Sequence, residues 1–256
     1  MPMNQPSTRV TAGVLIIGNE ILSGRTQDTN LAYLAKKLNE YGIQIRENRV
    51  VPDVEAEIVT AVNALRSRYD YVFTTGGIGP THDDITADCI AKAFGVPLVI
   101  NEEIADILRR RESPPDIMEM RMRMARIPKG GSLIRNPFGP HGFFIENVYV
   151  MAGIPQVMQV MIGSLEGLLR RGETIQSRSV TAYLPESHVA RRLGEIQQKY
   201  PHIDLGSYPF HRNDQYGTTL VMRGSVEADL EATRQEVMQM IIDLGGTPEE
   251  AKESSI

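Results

Sequence analysis

The sequence contains a single cysteine, Cys89, and no tryptophan. One thiol cannot form a disulfide within the chain, and it excludes a zinc site built from several cysteines. Cys89 falls beside an apolar helix face, where a buried structural thiol is expected. No apolar run approaches the ~20 residues that a membrane-spanning helix needs. No long basic block is present either. Lys and Arg number 27 against 32 Asp and Glu, a formal net charge of −5, and Arg109-Arg110-Arg111 reads as a solvated helix face. A nucleic-acid surface is therefore not expected. The histidines, His82, His141, His188, His202 and His211, lack metal-ligand spacing, and no Gly-x-Ser-x-Gly nucleophile elbow occurs. The start of the chain is polar and has no apolar signal segment, so residues 1–10 read as a disordered lead-in. The expectation is a soluble, cytoplasmic protein with neither membrane nor nucleic-acid partners.

The stretch Tyr71 to Asp84 stands out. A short apolar run ends in Thr75-Gly76-Gly77-Ile78-Gly79-Pro80-Thr81, two carboxylates follow at Asp83 and Asp84, and a helix pattern opens with Ile90, Ala91 and Phe94. Glycines let backbone N–H groups converge on an anion, and a helix N-terminus adds positive dipole character. Two adjacent acids repel one another and repel a phosphate, so they make sense with a hard divalent cation such as Mg²⁺ between them and the ligand. The loop is neither a Walker A nor a dinucleotide fingerprint. Its structural alternative is a tight turn in which Asp83 or Asp84 caps the helix.

Around this stretch the pattern alternates strands with helices. Val14 to Ile17 reads as a buried strand ending at Gly18, and a loop runs from Asn19 to Asn30. A helix carries Leu31, Leu34, Ala35 and Leu38, and Gly42 stops it. Ile43 to Val51 reads as a strand, and Pro52-Asp53 opens a helix with Ile58, Val59, Val62 and Leu65 on one face. This order predicts a three-layer α/β domain with a mostly parallel sheet and helices on both faces. Ligands in such sheets sit beyond the carboxyl ends of the strands, where Gly18-Asn19-Glu20, Asp53 and Gly76 to Asp84 all fall. Taken alone, Glu20 has the alternative of a solvated loop acid and Asp53 that of an N-cap.

Glu102 to Glu112 looks helical. Met118, Met120, Met122 and Met124 follow, with Met120 and Met124 expected to share a core face with Ile117. Asn136 to Phe143 is a turn-rich loop whose rings could cover a nucleobase or pack beneath the loop. Asn136 and Gly142 are included among the ligand-binding candidates. Gly142 to Met151 has hairpin character with its turn at Glu146-Asn147, and a helix carries Val157, Met161, Leu165 and Leu168. The domain is expected to span residues 11–172. A small ferredoxin-like α+β module should follow over 173–247, with strands at Ser177 to Tyr183, Asp204 to Tyr208 and Gly217 to Arg223, helices at Ser187 to Tyr200 and Val226 to Leu244, and a tail at 248–256.

Two motifs, Gly18-Asn19-Glu20-Ile21-Leu22-Ser23-Gly24 with Asp28-Thr29-Asn30, and Thr74 to Thr86, together resemble the MoaB/Mog molybdenum-cofactor-biosynthesis domain. The resemblance is to the version in the N-terminal half of the CinA family in particular, and to the molybdopterin-binding-like domain of FAD synthases. It covers Thr11 to Arg171 and extends into the small module, where Gly206-Ser207-Tyr208-Pro209 is similar to the FAD-synthase relatives.

The resemblance implies a nucleotide or pterin-phosphate ligand, a divalent cation and a homo-oligomer, with Met118 to Met124 as a candidate contact surface. It places Asp53 and Asp84 on the family's acidic positions, and Gly76, Gly77, Gly79 and Thr81 on its phosphate loop. The activity it implies is metal-dependent hydrolysis of a nucleotide pyrophosphate such as ADP-ribose or FAD. Molybdopterin adenylylation and a non-catalytic regulatory domain are the alternatives. Asn19 and Val157 depart from the family pattern, the latter replacing a glutamate. Neither the deamidase half of CinA relatives nor the adenylyltransferase half of FAD synthases is expected here.

Overall fold

The structure is a computed structural model that describes residues 9–212 and 214–250. The chain divides into two units, Met1–Glu173 and Thr174–Ile256. Residues 1–8 of the expected lead-in lie outside the described residues, and Val10 already opens the first strand.

In chain order the first unit contains β1 (Val10–Ile17), α1 (Asn19–Leu22), α2 (Asn30–Glu40), β2 (Ile43–Val51), α3 (Glu55–Arg66), β3 (Tyr71–Thr75), α4 (Thr86–Phe94), β4 (Leu98–Ile100), α5 (Glu102–Arg109), α6 (Pro115–Met122), β5 (Arg126–Pro128), β6 (Ser132–Ile134), β7 (Gly142–Ile145), β8 (Val148–Met151) and α7 (Pro155–Ser164). The main sheet has the order β2-β1-β3-β8-β7-β6. Its first four strands are parallel, and β7 and β6 extend it antiparallel. The β7–β8 hairpin turns at Glu146, whose φ of 49° is left-handed.

The strands at the centre of this sheet are apolar on both faces because both faces are covered. Along β1, Leu15 and Ile17 enter one core, while Val10, Ala12, Val14 and Ile16 enter the other. Val148 and Val150 of β8 join the first core, and Tyr149 and Met151 the second. The first core is closed by α3, α4 and α5 through Ile58, Leu65, Ile90 and Leu108. The second is closed by α2 and α7 through Leu34, Leu38, Met158 and Ile162. The result is the expected three-layer arrangement.

Four details differ from the sequence reading. The expected loop after β1 contains α1. Strands β4 and β5, for which there was no expectation from the sequence, form a separate antiparallel pair. Ile117 and Met120 on α6 are exposed rather than core, while Met122 and Met124 pack against the first core. Leu168 lies beyond α7 and is exposed.

The second unit contains β9 (Gln176–Ala182), α8 (Glu186–Lys199), β10 (Asp204–Arg212), β11 (Gln215–Gly224), α9 (Glu227–Asp243) and β12 (Glu249–Glu250). Its sheet is antiparallel with order β10-β11-β9-β12, the ferredoxin-like arrangement. Val180 and Ala182 of β9 and Leu220 and Met222 of β11 pack with Val189 of α8 and Val237 of α9. The two-residue β12 falls in what the sequence presents as tail; residues 251–256 lie outside the described residues.

Candidate functional site

The chain passes from β1 through α2 to β2, then through α3 to β3 on the other side of β1. Since α2, which follows β1, and α4, which follows β3, cover opposite faces, the connections leaving the carboxyl ends of these adjacent strands diverge, the arrangement that opens a crevice in such sheets. Gly18 N donates to Val51 O at 3.2 Å, and Gly76 N donates to Met151 O at 3.2 Å, so four strand ends are tied along one edge. Asn19 N donates to Asp53 Oδ2 at 2.9 Å, which joins the first and second polar clusters directly.

The glycine loop has the backbone its composition suggests. Gly76 and Gly77 have φ of 101° and 68°. A Cβ on Gly76 would stand 2.1 Å from Ile17 O, and one on Gly77 would stand 2.2 Å from Thr86 Oγ1. Thr86, fully buried at the start of α4, donates its hydroxyl to Gly76 O and its amide to Gly77 O, both at 3.0 Å. These bonds fasten the loop to the helix. The amides of Gly77, Ile78 and Gly79 meet no acceptor among the described residues.

None of the three acids for which capping was the alternative, Asp53, Asp83 and Asp84, holds a cap position. The cap positions of α3 and α4 are Val54 and Ile85, and neither side chain makes a capping bond. Asp84 Oδ2 instead accepts from Thr81 N at 2.8 Å, and the Thr81 hydroxyl meets both Asp83 and Asp84. That hydroxyl is the chief reason the Asp83 carboxyl is held below its usual range, with its own backbone amide next. His82 is almost fully exposed, its Nδ1 3.9 Å from Asp83.

The other candidates are distributed unevenly. Thr75 is buried at the end of β3, and Pro80 is half-buried on the loop. Glu20 is exposed in the first turn of α1, its carboxylate folded over Gly18. Asn136 and Gly142 serve their own hairpin. Asn136 bonds Pro140 O, Phe138 N and His141 Nδ1, while a Cβ on Gly142 would press within 2.4 Å of Val150 O. Of the rings in this loop, Phe138 is exposed and Phe143 is core. Val157 packs, half-buried, against the second core.

The structure also supplies residues that the sequence did not single out for the site. Asn30 is 5% exposed and donates from Nδ2 to Gly153 O at 2.8 Å, fixing the β8–α7 turn beside Gly76. Behind the loop a narrow pocket is lined by Gly77, Gly79, Asp84, Arg123, Arg126 and His141. His141 accepts from Asn136 N on Nδ1 at 3.0 Å, which leaves the proton to Nε2, and burial pushes its pKa down. Asn30 carried a signal as part of Asp28-Thr29-Asn30, and His141 as part of the turn-rich loop Asn136 to Phe143; Arg123 and Arg126 carried none.

Residues 13–171 match the family described as "Probable molybdopterin binding domain", and residues 174–244 match "FAD synthase, middle domain". A protein of Pyrobaculum calidifontis is 37% identical over 211 residues, covering 78% of this chain and 80% of its own. The "Probable FAD synthase" of Caenorhabditis briggsae is 30% identical over 264 residues, covering 93% of this chain but 50% of its own, so the chain spans half the length of that relative. Among solved structures, the protein CinA of Thermoplasma acidophilum superposes with a TM-score of 0.58 at 34% identity, over 61% of this chain and 96% of that one.

Proposed function

Because the chain belongs to the molybdopterin-binding MoaB/Mog family, joined to a FAD synthase middle domain, we propose that its first unit hydrolyses the diphosphate bridge of a nucleotide such as ADP-ribose or FAD with a divalent cation. The observation that carries this reading is the pairing of amides at Gly77, Ile78 and Gly79, which meet no acceptor among the described residues, with a knot of two carboxylates at Thr81.

The three amides hold one phosphate of the bridge. Hydrolysis adds a water across that bridge: its oxygen bonds to one phosphorus, the bridging P–O bond breaks, and the bridging oxygen leaves on the other phosphate. Asp53 is the base for this water. Its Oδ2 is engaged by Asn19 N, which orients the carboxylate and leaves Oδ1 to take the proton.

No cage of three metal-binding His, Cys, Asp or Glu residues occurs among the described residues. The donors that are present fit a hard cation all the same. Asp83, Asp84 and the Thr81 hydroxyl offer only oxygen, and Mg²⁺ commonly takes one or two carboxylates and completes its shell with water and substrate phosphate. When bound, such an ion draws charge from the phosphoryl oxygens and favours attack by water. The depressed Asp83 carboxyl keeps its charge through the neutral range, as that role needs.

Adenylylation of molybdopterin is the second reading, favoured by the description of the family matched over residues 13–171. Incubating the protein with ADP-ribose, FAD, NAD or CoA and Mg²⁺, Mn²⁺ or Co²⁺ tests the first. Cleavage of the diphosphate bridge into two phosphate-bearing products, AMP and ribose 5-phosphate from ADP-ribose, is the expected result; intact substrates under every condition, with AMP transferred to molybdopterin from ATP, would replace it with the second.

A further inference from the structure

Next to the glycine loop lies a cleft of about 600 Å³, lined by Glu55, Ile85, Cys89, Met120, Arg123 and Arg126 among others. That volume suits a nucleoside-sized group. Arg123 and Arg126 line both this cleft and the pocket behind the loop, so the two spaces share a wall. The Nε atoms of both arginines are buried without an acceptor among the described residues. Arg126 is otherwise engaged, donating to Asp88 Oδ2 at 3.0 Å, and Glu55 is engaged by Lys92. Arg123 is not. It has no carboxylate within 4.0 Å among the described residues, and its one hydrogen bond runs from Nη2 to Asp84 O at 3.4 Å. Arg123 bears on Asp83 through its charge alone, with no ion pair between them among the described residues, and a guanidinium on a cleft wall matches the geometry of a phosphate.

The rest of the cleft is chemically distinct from the loop. Ile85 and Met120 give it an apolar wall, and Met120, which also lies in the stretch expected to meet a second copy, is 46% exposed in the single chain. Of the three carboxylates that line the cleft, Glu55 is paired with Lys92 and Asp88 with Arg126, which leaves the exposed Glu119 as an acceptor for a hydroxyl group.

We propose that this cleft binds the nucleoside monophosphate half of the substrate, with Arg123 on the phosphate that adjoins the one in the glycine loop, Ile85 and Met120 against the base, and Glu119 on a sugar hydroxyl. The proposal rests on the reading of the loop as a phosphate site. It makes the substrate a nucleotide joined through a diphosphate and assigns the two phosphates to different residues.

Calorimetric titration of the full chain with orthophosphate, AMP and ADP-ribose tests it. Arg123→Gln should weaken AMP about 10- to 100-fold, the range for a lost hydrogen bond to a charged group. Met120→Ala, at an exposed position that should leave folding intact, should weaken AMP about 5-fold through lost apolar cover. Orthophosphate, held by the loop amides, should stay within about 2-fold in both. Equal losses for AMP and orthophosphate, unchanged AMP affinity in both variants, or no AMP binding by the wild type would each overturn the assignment. The two readings fail separately. ADP-ribose cleaved with an unchanged KM in both variants would sink the cleft and leave the hydrolase. AMP bound through Arg123 by a protein that cleaves no diphosphate would do the reverse.

Discussion

Changing Asp84 to Asn separates chemistry from structure at this site. Asp84 uses one oxygen, Oδ2, to accept from the amide and hydroxyl of Thr81. An asparagine can present its carbonyl oxygen in the same place, so both bonds survive in neutral form. Losing the charge assistance costs about 1 kcal/mol, and easing the repulsion from Asp83 offsets part of that. No helix cap is lost, because Ile85 occupies the cap position of α4. The melting midpoint without metal should therefore move by less than about 4 °C. Activity should respond much more. Removing an outer partner of a metal ligand typically costs about 10- to 100-fold in affinity or rate, and removing the ligand's own charge should cost at least that. Mg²⁺ titration by calorimetry and initial rates on ADP-ribose provide the readout. An Asp84→Asn protein with wild-type Mg²⁺ affinity and turnover would show that the carboxylate only fastens the loop.

Gly76→Ala must place a methyl 2.1 Å from Ile17 O at a φ of 101°, and should lose more than about 2 kcal/mol in urea unfolding; a loss under 0.5 kcal/mol would show that the loop relaxes freely. Cys89 is fully buried and its thiol is pushed up to about 12, so a disulfide reagent at pH 8 should leave the native protein unlabelled and find one thiol after denaturation, whereas rapid native labelling would contradict this. Asp83 has a folded pKa below its ordinary 3.8, so the stability it contributes is complete above that value and fades as pH falls through the lower folded one; the difference in melting midpoint between Thr81→Val and wild type should hold steady from pH 7 to about pH 4 and shrink below it, and a difference that disappears already at pH 6 would assign it to another group. Self-association is expected from the family resemblance, as a dimer or trimer, and light scattering showing a monomer at micromolar concentration would refute it.

The sequence was most legible where composition changes sharply. Strand β2 occupies Ile43–Val51 as read, because Gly42 and Pro52 bound it. The β7–β8 turn lies at Glu146-Asn147 as read. The sequence was least legible where a side chain chooses a distant partner over a local one. Asp53 reads as a possible cap, yet it stands one residue before the cap position of α3 and its carboxylate takes the amide of Asn19, a partner 34 residues away. The spacing of Ile117 and Met120 marks a common helix face, but periodicity cannot say whether another element packs on it, and here none buries it. Arg123 and Arg126 sit among alternating charges and methionines, so nothing local distinguishes a guanidinium facing a cleft from one in solvent.

The site accordingly falls into two sets of residues with different constraints. Gly76, Gly77 and Thr86 are fixed by close backbone contacts, and changing them alters the loop itself before any ligand arrives. Thr81, Asp83 and Asp84 bond chiefly to one another at the accessible mouth of the loop, and the packing of α4 does not depend on their side chains. Folding can therefore hold the first set while leaving the second open to change in chemistry. Val157 illustrates the same division. Where the resemblance leads one to expect a carboxylate, this chain has a side chain that packs against the second core, so under the proposed reading the charge at this edge of the sheet comes from Asp53, Asp83 and Asp84.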